Sequence, residues 1–347
     1  MTTTTTALAF DLSPELIATE PIETLGLRRD AARMLVSWRS RDAVVDASFA
    51  DLGHFLEPGD VLVVNDSATL PAAVATGDGR LVHLSTELGD GLWVVELRHA
   101  CGAGSTPLLD GPTQTVSLPE GARVELLAPY PAGHEGPVRL WLARLGLPAP
   151  LTSYLARHGQ PIRYGCGDEA WPLSAYQTVF GLKPGSAEMP SAARGFTPEL
   201  VARLVAAGVV LAPITLHTGV SSLEASEPPY PERYVVPQPS ADIVNEARAV
   251  GRRVIAVGTT ATRAIETTAD ERGWSHSGRG WTDLVITPER GVRAVDGIIS
   301  GWHEAEASHL LLLEAVAGSA VLVRSYAQAL SQGYRWHQFG DFHLVLP

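Results

Sequence analysis

The sequence predicts an α/β fold: a main domain built on a mixed sheet, with a small antiparallel β-barrel inserted into it. Three observations predict this. Residues 61–64, 209–216 and 254–257 are short, nearly unbroken apolar runs rich in β-branched residues, as strands buried on both faces are. From residue 71 to 148 the texture changes to short alternating runs separated by Gly/Asp turns such as Gly77-Asp78-Gly79 and Gly89-Asp90-Gly91, which suits a small barrel or sandwich. The pattern of buried strands and helices then resumes. The expected organisation is a main domain of residues 1–70 and 149–347 and an inserted β-barrel domain of residues 71–148.

Composition sets the class. With 347 residues, 45% hydrophobic and 18% charged, the chain can bury one large core or two modest ones. A net charge of −12 speaks against global steering of a polyanion. No apolar run approaches the roughly 20 residues of a membrane span, so no membrane is expected. The segment Met1 to Thr6 lacks the basic region and apolar core of a secretory leader. Cys101 and Cys166 are too few for a disulfide framework or a cysteine zinc site, which makes a reducing cytoplasm the expected compartment.

Taken in order, Ser13-Pro14-Glu15 reads as a helix start, residues 34–36 as a strand and residues 49–56 as a short helix. The strand at 61–64 delivers Asn65 and Asp66 to its carboxyl end, where open α/β sheets bind ligands. Residues 151–158 read as a helix. Tyr176, Gln177 and Thr178 precede a loop through Ser191 that is long for a plain connector. Thr197 caps a helix that opens on Pro198, and the next strand delivers His217, Thr218 and Gly219. The strand at 254–257 runs into Gly258, Thr259 and Thr260, where a threonine can cap a helix carrying Arg263; free N–H groups at such a tip suit a carboxylate, phosphate or sugar hydroxyl. Strands are expected at 281–287 and 292–295, followed by Asp296 to His303, two helices and a last strand after Asp341. Glu306 and His309 would share a helix face, with a solvated face the expected role and metal binding the lesser one. The strand ends at Asn65-Asp66, His217-Thr218, Gly258 to Thr260 and Asp296 to His303 are expected to meet on one edge of a sheet.

These residues, in this order, resemble the S-adenosylmethionine:tRNA ribosyltransferase-isomerase family. The carrying segments include Pro58 to Ala72, Tyr176 to Val179 with Pro184-Gly185-Ser186, Phe196 to Leu200, Thr215 to Gly219, Arg253 to Thr260 with Arg263, Val295-Asp296-Gly297, His303 and Gly340-Asp341. The resemblance implies transfer of the ribosyl part of S-adenosylmethionine to the aminomethyl group of a 7-deazaguanine in tRNA, with rearrangement to an epoxycyclopentane and release of adenine and methionine. Such chemistry requires a base beside the sulfonium, a neutral amine and a site that orients both. S-adenosylmethionine is a substrate, and no cofactor or metal is implied. The candidate acid/base groups are His217, Asp296 and His303. The candidate substrate-binding residues are Asn65, Asp66, Tyr176, Gln177, Thr178, Ser191, Thr218, Gly219, Gly258, Thr259, Thr260, Arg263 and Asp341. Gly195 and Tyr230 stand where the family pattern has histidines, and with the acidic balance they suggest a divergent branch. The alternatives are ribosyl transfer to a small-molecule acceptor and a non-catalytic S-adenosylmethionine-binding homologue. A monomer or homodimer is expected.

Overall fold

The computed structural model describes residues 8, 10–109, 115–132, 137–220, 229–305 and 309–347. The chain opens with β1 (Arg33–Trp38), β2 (Val44–Ser48), β3 (Val61–Asn65) and β4 (Ser67–Thr69). An antiparallel run follows: β5 (Ala73–Ala75), β6 (Arg80–Gly89), β7 (Leu92–Cys101), β8 (Gly104–Pro107), β9 (Thr115–Ser117), β10 (Arg123–Tyr130) and β11 (Leu140–Gly146). Next come α1 (Leu151–His158), β12 (Gly159–Gln160), β13 (Lys183–Ser186), α2 (Pro198–Ala206) and β14 (Val210–His217). The remainder is β15 (Glu232–Val236), α3 (Gln238–Ala249), β16 (Val254–Val257), α4 (Gly258–Thr268), β17 (Gly278–Thr282), β18 (Gly297–Gly301), α5 (His309–Ala317), α6 (Ser319–Ser331) and β19 (Phe342–Leu346).

Nine strands form a mixed sheet in the order β17-β15-β14-β3-β16-β18-β19-β1-β2. Its centre, β14, β3, β16 and β18, is parallel, so their carboxyl ends share one edge. Both faces are covered. On one side α3, α4, α5 and α6 contribute Val244, Ile265, Leu313 and Leu322 to the core; on the other, Phe49, Phe196, Leu200 and Leu204 pack beneath it. This is why every residue of β3 and β16 is buried and the runs show no alternation.

The second sheet is antiparallel, in the order β12-β5-β6-β7-β11-β10-β9 with β8 on β7. It has its own core around Val95, Leu97, Val124 and Trp141. Among the described residues its pairings leave β12 and β9 as two ends. The core also takes in Tyr154 and Leu155 of α1, and β12 pairs with β5, so this unit draws on residues beyond 148.

Several local expectations change. Residues 292–295 are not a strand, because Oε1 of Glu266 accepts the N–H groups of Arg293, Ala294 and Val295. The strand follows instead at Gly297–Gly301, and the one expected at 281–287 ends at Thr282. Residues 49–54 form a 3-10 helix. Helix α4 begins at Gly258 with Val257 as its N-cap and no side-chain cap, so neither Thr259 nor Thr260 closes it. The two cysteines do pair: Cys101 and Cys166 form a disulfide, brought together by the bridge between Ser105 and Gly165. The reducing compartment expected from cysteine usage therefore loses its basis. Among the described residues no single helix is long and apolar enough to cross a membrane.

Candidate active site

The carboxyl edge of the parallel strands is fastened by one amide. Asn65, fully buried at the end of β3, accepts from the N–H of Leu216 at 2.9 Å and of Ser67 at 3.1 Å. Its Nδ2 donates to the Leu216 carbonyl at 2.8 Å and to Oγ1 of Thr260 at 3.3 Å. A single side chain thus ties the end of β14, the start of β4 and the first turn of α4. Leaving any of these buried groups unpaired would cost about 1–3 kcal/mol.

His217 is the last residue of β14. Its Nδ1 lies 2.7 Å from Oγ of Ser67, which is 2.6 Å from Oγ of Ser186; that oxygen accepts the Thr218 N–H at 3.0 Å. Each serine hydroxyl can donate in either direction. The ring can therefore offer Nε2 as a lone pair or as an N–H while Nδ1 stays bonded. Gly185 permits this arrangement: a Cβ there would sit 2.5 Å from Cε1 and 2.8 Å from Cγ of His217. Only hydrogen fits.

Charge around the ring is one-sided. Burial, with Arg233 next and Lys183 adding, lowers the His217 pKa to about 4, against the opposing pull of Asp66. The imidazole is neutral at pH 7. Asp66 accepts from Thr215 Oγ1 at 2.6 Å and pairs with Lys183 Nζ at 2.8 Å, so it anchors the cation that flanks the histidine.

Beyond His217, Thr218 donates to the Glu188 carbonyl at 2.6 Å, and the Gly219 N–H reaches Glu232 at 3.3 Å. A Cβ at Gly219 would lie 2.8 Å from both the Ser85 and Thr86 hydroxyls, which come from β6 of the second sheet. The two sheets meet at this point. Between them lies a cavity of about 250 Å³ lined by Leu70, Ser85, Thr86, Trp93, Gly185 and His217, among others. On the other side of His217 and Arg233 a groove of about 420 Å³ opens to solvent. Carboxyl-edge placement, a neutral imidazole and an adjoining cavity are what an acid/base site requires.

Comparison with known proteins is consistent across the chain. A family model described as Queuosine biosynthesis protein matches residues 5–345. The chain belongs to this family. The S-adenosylmethionine:tRNA ribosyltransferase-isomerase of Symbiobacterium thermophilum is 34% identical over 97% of this chain and 98% of its own. That of Thermus thermophilus is 35% identical over 98% and 99%. The crystal structure of the S-adenosylmethionine tRNA ribosyltransferase of Thermotoga maritima aligns with a TM-score of 0.54 at 27% identity, covering 97% of this chain and 99% of that one.

For this member of the queuosine biosynthesis family, the expected site residues divide. Asn65, Asp66, Thr218, Gly219 and Thr260 gather around His217 by the contacts above. Gly258, at φ +93°, and the half-buried Thr259 form the same first turn of α4, and a Cβ at Gly258 would approach Cβ of Ala192, beside Ser191, to 3.2 Å. Gln177 clamps the backbone of Thr69 by two bonds, 3.0 and 2.8 Å, and Tyr176 packs on Phe339 with ring centres 5.2 Å apart. Thr178 is buried, and its hydroxyl has no partner among the described residues.

Three other expected residues are engaged in bonds within the fold. Asp296 precedes β18 and accepts the N–H of Val254 at 2.8 Å, at the amino end of β16. It lies on the opposite edge of the sheet from His217. Arg263 is spent internally: it pairs with Glu232 and donates to the carbonyls of Leu284, Thr282 and Tyr230 at 3.1, 3.2 and 3.4 Å. Asp341 accepts the N–H groups of Arg33 and Arg335 at 2.9 and 2.8 Å.

His303 shares the carboxyl edge but follows β18, three strands from β14, so at about 4.8 Å per strand it sits roughly 14 Å from His217. It is 3.1 Å from Ser300 Oγ, stacks on His309 at 4.7 Å, and has its pKa held low by burial. Glu306 falls outside the described residues, and among those described no group of three candidate ligands is placed to hold a metal. Gly195, where the resemblance has a histidine, admits no side chain, since a Cβ would meet Phe49 at 2.7 Å and Phe342 at 2.9 Å. Tyr230, at the other such position, lies 5.9 Å from the Tyr130 ring. Ser67, Ser186, Lys183, Gly185 and Arg233 were not singled out as site residues from sequence. Ser67 adjoins Asn65-Asp66 and Ser186 lies in the resemblance segment Pro184-Gly185-Ser186, so a signal was there.

Proposed function

We propose that this chain transfers the ribosyl part of S-adenosylmethionine to the aminomethyl group of 7-aminomethyl-7-deazaguanine in tRNA. Rearrangement then gives the epoxycyclopentane and releases adenine and methionine. Full-length similarity to relatives named for that activity supports the reading. The observation in the structure that carries it is His217, neutral and mounted on the Ser67–Ser186 pair beside the inter-sheet cavity.

In this reading His217 is the group that takes and returns a proton at Nε2, and the two hydroxyls reorient so that Nδ1 remains bonded throughout. Trp93 and Leu70 supply apolar walls for the adenosine portion, with the hydroxyls of Ser85 and Thr86 beside them. The uncapped first turn of α4 offers N–H groups to a carboxylate or ribose oxygen. A neutral base matters because Arg233 and Lys183 already flank the ring, and a further positive charge beside a sulfonium would oppose substrate binding.

The test is to follow ribose-labelled S-adenosylmethionine with tRNA bearing the aminomethyl-deazaguanine. The reading expects one label retained on tRNA for each adenine and each methionine released. Label that never reaches the tRNA would exclude it.

A further inference from the structure

The chain carries 38 acidic and 26 basic side chains, so a site for a polyanion must be local if it exists. The densest basic stretch of the sequence does not supply it. Arg28, Arg29 and Arg33 pair with Asp30, Glu23 and Asp46.

The exposed face at the β17 edge of the main sheet is different. Register places His217 opposite Arg233, and Arg233 opposite Trp281, in one row across β14, β15 and β17; two residues along, the next row on the same face holds Thr215, Val235 and Arg279. With about 4.8 Å between strands, Trp281 stands roughly 10 Å from His217, and Arg279 roughly 7 Å further along β17. Side chains of one row point to the same face, so the two arginines and the tryptophan share it. Arg233 and Arg279 are exposed and have no ion-pair partner among the described residues, and Trp281 is 42% exposed. Lys183, its side chain half in solvent, completes a groove of about 420 Å³ to which no described carboxylate contributes. No ion pair among the described residues accounts for these two arginines beside a part-exposed indole, on a sheet face that leads to the candidate base. They match the combination that holds unpaired nucleotides: cations for phosphates and a ring for a base.

We propose that this face of β14, β15 and β17 is a docking platform for single-stranded RNA, with Arg233 and Arg279 on the phosphates and a base stacked on Trp281, and that it delivers the adjoining nucleotide to His217. The platform deepens the proposed function and rests on it for the identity of the RNA. It also specifies the occupant: an unpaired loop, since only splayed bases can stack on the exposed indole while their phosphates meet the arginines. Bound phosphates would offset Arg233 and Lys183, the two cations that flank His217.

The experiment measures binding of a synthetic RNA hairpin with an unpaired loop, and of a duplex of the same composition, to the full chain at several salt concentrations, alongside S-adenosylmethionine turnover. Wild type should prefer the loop. Trp281→Ala should weaken hairpin binding roughly tenfold and Trp281→Phe should restore most of it. Arg279→Ala should reduce the slope of log affinity against log salt by about 0.7. Unchanged affinity and slope in both alanine variants, or equal binding of duplex and hairpin, would overturn the platform. Turnover that persists with unaffected variants would sink this inference alone. Loop binding weakened as stated, in a protein that releases no adenine, would sink the proposed reaction and leave the platform standing.

Discussion

Oγ of Ser67 lies 2.7 Å from Nδ1 of His217, across 150 residues of chain. The serine is fully buried on β4, and the only other described partner of its hydroxyl is Ser186. Ser67→Ala should remove the bond that orients the imidazole. The loss of one such bond, about 0.5–1.5 kcal/mol, corresponds to roughly a two- to thirteenfold fall in kcat. Affinity for S-adenosylmethionine by calorimetry should stay at the wild-type value. A kcat equal to that of wild type would show that the hydroxyl does not position the ring.

Gly185 is the position where a methyl group should do most harm. A Cβ there would overlap the His217 ring, so Gly185→Ala must displace the imidazole or β13. A displacement near 1 Å at a reacting group costs roughly 100-fold in rate. The expected outcome is that large kinetic loss with a modest change in Tm. Wild-type turnover in this variant would mean that the ring position is not critical.

The pH dependence of stability has a definite sign. The folded-state pKa of His217 is lowered to about 4 from an ordinary value of 6.5, mainly by burial. Below pH 6.5 the unfolded chain takes up a proton that the folded chain refuses, so unfolding free energy falls as pH drops from about 6.5 to about 4. His309, lowered to about 4, and His343, lowered to about 3, act in the same direction. Urea unfolding at stepped pH should show this decline, and His217→Gln should make it shallower. An unaltered slope in His217→Gln would place the imidazole in a less buried environment.

Asp296 should behave as a structural residue. Asp296→Ala removes the acceptor of the Val254 N–H and should cost about 1–3 kcal/mol of stability. The kcat of the folded fraction should be unchanged. A kinetic loss at constant stability would return Asp296 to the chemistry.

What could be read in advance was whatever depends on near neighbours. Thr197 and Pro198 announce α2, and the apolar run 254–257 announces β16, because caps and burial are written locally. The segment 292–295 looked like a strand because nothing nearby reveals that Glu266 holds its N–H groups. Asp296 was misplaced for a related reason: a polar residue beside a strand looks the same at either end, and only the parallel pairing of β16 with β18 settles which edge it occupies. His217 was legible as a strand end. Its serines were harder to assign, since Ser67 and Ser186 are 119 residues apart and become neighbours only through the parallel pairing of β13 with β4.

The most direct measurement is the rate of adenine release from S-adenosylmethionine, in the presence of tRNA carrying the aminomethyl-deazaguanine, for wild type and His217→Ala. The account predicts tRNA-dependent release by wild type and a fall of at least about 100-fold in the variant, the usual contribution of a positioned acid/base group. Tm and S-adenosylmethionine affinity should be close to unchanged. Release by His217→Ala within a few-fold of wild type would contradict the assignment of His217 as the acid/base group.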